Sequence, residues 1–396
     1  MKFSSKINRC QLSPIRKFAP YARAAEQAGK KIYSLNIGNP DLATPAAYKE
    51  ALRSFDAATV AYGPSEGLDE YLNAVTDYYD KKLGVKLEKG EVIATTGGSE
   101  ALCIAANALL DEGDEIICPE PFYPNYSTFV TVPGGRICPM PTTPENGYRY
   151  AVRERVEECI NEHTRAILVT NPGNPTGCVL TDEEMRLLLD IAKEHDLFLV
   201  CDEVYREFTY DGSPLRSALQ YEGYEQNIIV VDSVSKRFSA CGARVGVLVS
   251  KNEEFMHHAM KWCQARLCPP TVDQIAAAAL YSVDDDYFRM VREEYKRRRD
   301  TMVSRLQAIP GVKCKMPDGA FYLMATLPVD DADEFQMWLL TEFDSDETVM
   351  FASGEPFYAT PGKGKNEVRL AYVINCDDIN AAMDVLERAL REYNGK

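Results

Sequence analysis

Three short apolar runs, residues 166–170, 197–201 and 228–231, constrain the fold more than any other feature of this 396-residue chain. Each is too short for a helix and nearly free of polar alternation. Each also stops at a polar residue, Asn171, Asp202 or Asp232. Strands covered on both faces look like this, and in sequence they belong to parallel sheets flanked by helices. Helical apolar spacing recurs between strand-like stretches, with strands expected at 31–37, 91–96, 114–118 and 243–250 and helices at 11–29, 68–83 and 101–110. Beyond these lie helices at 252–265, 271–282 and 285–309. Then strands near 320–324, 349–352 and 368–373 alternate with helices at 331–342 and 377–393. That last stretch reads as α+β material, and a second domain is expected there.

Open α/β sheets bind ligands beyond the carboxyl ends of their strands. Lys236 stands at such an end, in Ser233-Val234-Ser235-Lys236, with Arg244 eight residues on. A single Lys is ordinarily a solvated surface charge. Hydroxyls at Ser233 and Ser235 and the guanidinium of Arg244 instead suggest an anion held beside an amine, as an imine-forming cofactor with a phosphate requires. Desolvation beside other cations lowers a Lys pKa, so Arg244 is expected to help keep that amine partly neutral.

Asp202 ends another buried strand, with Tyr205 three residues later. A carboxylate there needs a cationic partner or several donors, and a protonated ring nitrogen is such a partner. Gly97-Gly98-Ser99-Glu100 opens a helix after strand 91–96. Its amides at the positive helix end suit a phosphate, although many helices begin this way. In the turn Asn171-Pro172-Gly173-Asn174-Pro175-Thr176-Gly177 the prolines restrict the backbone enough to aim Asn174. Gly38 is either a turn glycine or a point where a ligand nears the backbone. Tyr123, between prolines, is either a packed aromatic or a lid on a ring. Tyr62 is a loop aromatic unless a second chain uses it.

A net charge of -16 disfavours nucleic acid as a partner. Twelve Cys occur without CxxC pairs or metal-like His spacing, so they read as reduced thiols and no metal is expected. With no apolar run of membrane-spanning length and no leader-like start, no membrane partner is expected and the compartment expected is the cytoplasm.

Asn174-Pro175-Thr176-Gly177, Asp202-x-x-Tyr205, Ser235-Lys236 and Arg369, in that order, resemble the class I/II aminotransferases of fold type I, with the match running from about residue 38 to 369. These are the aspartate-, alanine- and aromatic-aminotransferase-like enzymes that use pyridoxal 5′-phosphate. The resemblance implies an α/β, three-layer large domain with a mostly parallel seven-stranded sheet at 46–285. It also implies a smaller α+β domain at 286–396, joined by the N-terminal segment 1–45. It further implies a ping-pong transfer of an amino group from an L-amino acid to a 2-oxo acid, with Lys236 forming the internal aldimine. Asp202 resembles the partner of the pyridine nitrogen, and Tyr205 and Asn174 the donors to the ring's phenolic oxygen. Gly98, Ser99, Ser233, Ser235 and Arg244 resemble the phosphate cup, which Tyr62 would join from the other subunit of a homodimer. Tyr123 sits where the family stacks an aromatic ring, and Arg369, with Gly38 and Asn174, resembles the clamp on the substrate α-carboxylate.

One position departs from the family's dicarboxylate-specific branch, where a Lys often follows the glycine pair. Here that residue is Ser99. Either the substrate is neutral or aromatic, or another cation, Arg266 or Arg16, reads a distal carboxylate; aspartate, alanine and aromatic donors all stay open. A β-lyase or an aminocyclopropane-carboxylate synthase of the same fold would keep nearly all these residues. An effector-sensing regulator is disfavoured because residues 1–37 are too short for a winged helix, and a nucleotide-binding dehydrogenase because neither GxGxxG nor a P-loop is present.

Overall fold

A computed structural model of the protein describes residues 1–210 and 215–395. Its strands, in chain order, are β1 (Lys31–Ser34), β2 (Val92–Thr95), β3 (Glu115–Glu120), β4 (Arg136–Pro141), β5 (Thr164–Thr170), β6 (Phe198–Asp202) and β7 (Ile228–Ser233). They continue with β8 (Gly246–Val249), β9 (Lys313–Cys314), β10 (Tyr322–Thr326), β11 (Glu347–Met350), β12 (Ala352–Ser353) and β13 (Glu367–Ala371).

Seven of these form one sheet in the order β2-β8-β7-β6-β5-β3-β4. Every pair is parallel except the two made by β8, which runs antiparallel to β2 and β7. Successive side chains of a strand point to opposite faces, and the apolar runs divide accordingly. Ile167, Val169, Leu199, Cys201, Ile228 and Val230 enter one core, whereas Ala166, Leu168, Val200, Ile229 and Val231 enter another. Both faces are covered, so no polar alternation is tolerated. The fold is therefore α/β in three layers, with helix Gly97–Leu109 on one face against β7 and β8 and helix Asp182–Glu194 in the core of the other.

A second, antiparallel sheet has the order β12-β13-β10-β9, while β1 pairs in parallel with β11. Helices Asp285–Ala308 and Cys376–Asn394 pack together here over a separate core.

Three expectations are corrected. Residues 11–29 are not one helix but a 3-10 turn at Pro14–Arg16 followed by helix Ala19–Gln27. Each has a proline in its first turn, the only place where a helix accepts one without losing a hydrogen bond, so each proline starts a new element. The glycine pair does not precede its helix but forms its first turn, at Gly97 and Gly98. The strand expected at 243–250 shrinks to Gly246–Val249, because Cys241–Ala243 make a 3-10 turn and Arg244 takes a left-handed φ of 53°. Among the described residues no helix is long and apolar enough to cross a membrane.

Candidate active site

The sheet brings distant residues to one edge. β6 ends at Asp202, and β7 ends at Ser233 and runs into the one-turn helix Val234–Arg237 that carries Lys236. The loop after β5 carries Asn174, and helix Gly97–Leu109 begins beside them with Gly98 and Ser99 in its first turn. From the second sheet, β13 contributes Arg369, paired across with Met324 and Ala352. One cavity of about 570 Å³ is lined by every candidate residue from the sequence except Tyr62 and Arg266. Tyr62 lies elsewhere, 82% exposed.

Within the cavity the polar atoms are matched to one another. Asn174 accepts from Arg369 Nη1 at 3.0 Å and donates to the Tyr205 hydroxyl at 3.4 Å, so it joins the two walls. Arg369 Nη2 donates to the carbonyl of Asn36 at 2.6 Å, yet its Nε is buried without an acceptor. Burial pushes the Arg369 pKa down from its ordinary value; both facts describe a guanidinium that an anion would complete.

Asp202 is buried and accepts from the Tyr126 hydroxyl at 2.7 Å and the amide of Val204 at 3.4 Å. Among the described residues it makes no ion pair. Burial pushes its carboxyl up to about 6, against the pull of the two hydrogen bonds. An unfolded Asp titrates near ~3.9, so between those values the folded chain holds the extra proton. Stability is therefore fully present below the lower value and falls as pH rises through about 6. Asp202→Asn removes this titration. In denaturant unfolding of the cofactor-free protein, the wild type is expected to lose on the order of 2 kcal/mol relative to the variant between pH 4.5 and 7.5; equal pH slopes would contradict it.

The half-buried Lys236 Nζ donates to the carbonyl of Gly38 at 3.0 Å and lies 3.6 Å from Cys241 Sγ. Its pKa moves opposite to the sequence expectation. Burial lowers it, but the Tyr322 phenol, the Cys241 thiol and the Tyr123 phenol outweigh that and carry it upward; Arg244 is not among the main causes. Arg244 instead donates to the carbonyls of Cys241 at 3.1 Å and Thr96 at 3.4 Å. A methyl group added at Gly97, φ +72°, would sit 2.6 Å from its Nη2. Glycine is thus needed there for backbone conformation and for space. At Gly38 a methyl would overlap the Tyr322 ring.

Ser233 caps the short helix by accepting from the amide of Ser235, which fixes the backbone just before Lys236. Tyr123 lines the cavity half-buried, its hydroxyl accepting from Asn125 at 2.7 Å. Burial raises the Tyr205 phenol, so it stays a neutral donor, and its hydroxyl is 3.1 Å from that of Tyr322.

The two arginines held open by the sequence separate here. Arg266 does not line the cavity; it lies 3.5 Å from Glu100 and donates to the Ser65 carbonyl at 3.1 Å. Arg16 lines it. Sequence reasoning missed Tyr126, Tyr322 and Asn36. Tyr126 had a signal, since it ends the aromatic segment 121–126 and a buried Asp202 demands donors. Tyr322 and Asn36 had none.

A phosphorylated pyridine aldehyde fits these residues. The buried carboxylate without a cation suits a ring NH⁺. The helix N-terminus with Ser99, Ser233, Ser235 and Arg244 suits a phosphate, and among the described residues Lys236 is the one primary amine lining the cavity.

The family model described as aminotransferase class I and II matches residues 30–386. The chain is 29% identical to an aspartate aminotransferase of Bacillus subtilis over 100% of both chains. It is 31% identical to an aromatic-amino-acid aminotransferase of Thermococcus litoralis over 99% of each. Among solved structures, an alanine aminotransferase from Pyrococcus furiosus superposes with a TM-score of 0.90 at 31% identity, covering 99% of this chain and 100% of that one. The aspartate aminotransferase of Thermus thermophilus with maleate does so with a TM-score of 0.89 at 28% identity, over 98% and 100%.

Proposed function

The chain belongs to the class I and II aminotransferases and is a pyridoxal-phosphate-dependent transaminase, and on that premise we propose which of its residues carry the reaction. Pyridoxal phosphate, when bound, supplies an aldehyde that takes up the amino group and a ring that accepts the electron pair left at Cα. Lys236 is the amine that would hold the aldehyde carbon. When free, its Nζ would be the base that takes up the substrate's Cα proton and returns it. The guanidinium groups cannot do this, since they stay protonated.

Asp202 holds the ring nitrogen's proton, and the charge it meets there replaces the cation its buried carboxylate lacks. Gly98, Ser99, Ser233, Ser235 and Arg244 hold the phosphate, and Tyr205 and Asn174 donate to the phenolic oxygen. Tyr123 packs on the ring. Arg369, with Asn174 and Gly38, holds the substrate α-carboxylate in a planar fork. The observation that carries this reading is the meeting of a cation-free buried carboxylate, a lone amine and an unsaturated buried guanidinium in one cavity.

Relatives are named for aspartate, aromatic amino acids and alanine, and an amino donor of one of these kinds with a 2-oxo acid acceptor is expected here. In a coupled assay, one 2-oxo acid should be consumed for each amino acid converted. Ammonia released without an acceptor would indicate β-elimination instead.

The same reading includes a homodimer in which Tyr62 reaches the partner's phosphate site. Its support is that an exposed aromatic has no role in its own cavity; a fully active monomer in sedimentation would remove it. It also divides the chain into a large domain at 46–285 and a small one at 286–396 with segment 1–45, supported by the pairing of β1 with β11.

A further inference from the structure

We propose that Arg16 reads the distal carboxylate of a dicarboxylic amino acid and so sets the substrate class of this transaminase. The inference rests on the residue roles given above and assigns the one charge they leave over. Among the described residues, the charged side chains lining the cavity are Arg16, Asp202, Lys236, Arg244 and Arg369. Asp202 goes to the ring nitrogen, Arg244 to the phosphate, Lys236 to the aldehyde carbon and Arg369 to the α-carboxylate. Arg16 remains, and among the described residues its guanidinium makes no hydrogen bond or ion pair. Its neighbour Lys17, by contrast, is paired with Asp333.

Position agrees with this accounting. Arg16 ends the 3-10 turn Pro14–Arg16, which packs against β12, and Ala352 of β12 is the register partner of Arg369. The turn is also tied to the α-carboxylate side through Asn36. That residue gives its carbonyl to Arg369 and its side-chain amide to the carbonyl of Ile15, at 3.5 Å. The phosphate side, at Gly98 and Ser233, belongs to other elements. Arg16 thus lines the cavity from the Arg369 side, away from the phosphate cup, where a second carboxylate of a substrate held by Arg369 can meet it. Its planar fork matches a second carboxylate. This also accounts for Ser99 standing where the dicarboxylate-specific branch often places a Lys. The cation comes from the N-terminal segment instead, and Arg266 is already occupied by Glu100.

The test uses the holoenzyme and three unreactive probes: succinate, propionate and 3-phenylpropionate, with binding measured by calorimetry. The wild type should bind succinate about 2–5-fold more tightly than propionate, the span of a charge pair that water still reaches, because Arg16 is exposed. Arg16→Met should erase that preference, and Arg16→Lys should restore part of it. In turnover, Arg16→Met should lower the ratio of kcat/KM for aspartate or glutamate over that for alanine by a similar factor, mainly through KM.

Equal loss for both donor classes would make Arg16 a structural residue and overturn the proposal, as would a wild type that prefers 3-phenylpropionate to succinate. An enzyme that transaminates monocarboxylic donors yet ignores dicarboxylates defeats this proposal alone. A protein that transfers no amino group from any donor defeats the transaminase roles beneath it.

Discussion

Replacing Lys236 by alanine is expected to lower the rate of amino transfer at least ~10³-fold, because proton transfer by a placed base is worth about 10²–10⁴-fold and, among the described residues, no other amine lines the cavity. The guanidiniums, the raised phenols and Asp202 are poor replacements for their own reasons. Arg16, Arg244 and Arg369 line the cavity as guanidinium groups that do not give up a proton at working pH. Burial raises the phenols of Tyr205 and Tyr123, so neither offers a phenolate. Asp202 is held by Tyr126 and Val204 and is assigned to the ring nitrogen.

Single-turnover rates with saturating donor measure the loss, and borohydride reduction of the wild type followed by peptide mapping should place the cofactor on Lys236. A variant that keeps more than about a hundredth of the rate, or a label found on another lysine, would sink the assignment.

The sheet was legible because its strands are buried on both faces. Runs such as 228–231 carry no polar alternation, and the division of Ile228 and Val230 from Ile229 and Val231 between two cores shows why. The antiparallel direction of β8 was not legible, since four apolar residues read the same either way. Helix Asp182–Glu194 went unassigned although Thr181 and Glu184 form a capping box, a local signal.

In the site, Asp202 and Lys236 stood out because one ends a buried strand and the other closely follows one, where a charge needs a reason. Tyr322 arrives from a separate sheet, over a hundred positions along the chain from its partner Tyr205. No local pattern distinguishes such a ring from a core aromatic. Arg16 and Arg266 were equivalent as sequence, and the structure separates them: Arg16 lines the cavity, whereas Arg266 does not and pairs with Glu100.

Arg237→Met is expected to destabilise the protein by about 3–5 kcal/mol, the usual consequence of removing one partner from a buried ion pair. Arg237 is fully buried and donates to Asp232, which also accepts from Arg206 Nη2 at 2.8 Å, the amide of Ser233 at 2.7 Å and the Tyr79 hydroxyl at 3.3 Å. Arg206 Nη1 in turn donates to Glu203 at 2.6 Å, and Glu203 accepts from Ser217 at 3.0 Å and Ala218 at 2.8 Å.

Two acids and two guanidiniums make this cluster neutral. Without Arg237 both carboxylates share Arg206, and a net negative charge is locked in the core. Each member also sits next in sequence to an active-site residue: Glu203 to Asp202, Arg206 to Tyr205, Asp232 to Ser233 and Arg237 to Lys236. The cluster therefore fixes the ends of β6 and β7, and its loss should weaken cofactor retention along with stability.

Denaturant unfolding measures the first effect and dialysis against buffer the second. Asp232→Asn combined with Arg237→Met should lose less than the sum of the two single changes, because the opposite charges leave together. Strict additivity, or an Arg237→Met protein within about 1 kcal/mol of the wild type, would show that the pair is screened by water and not held as a buried unit.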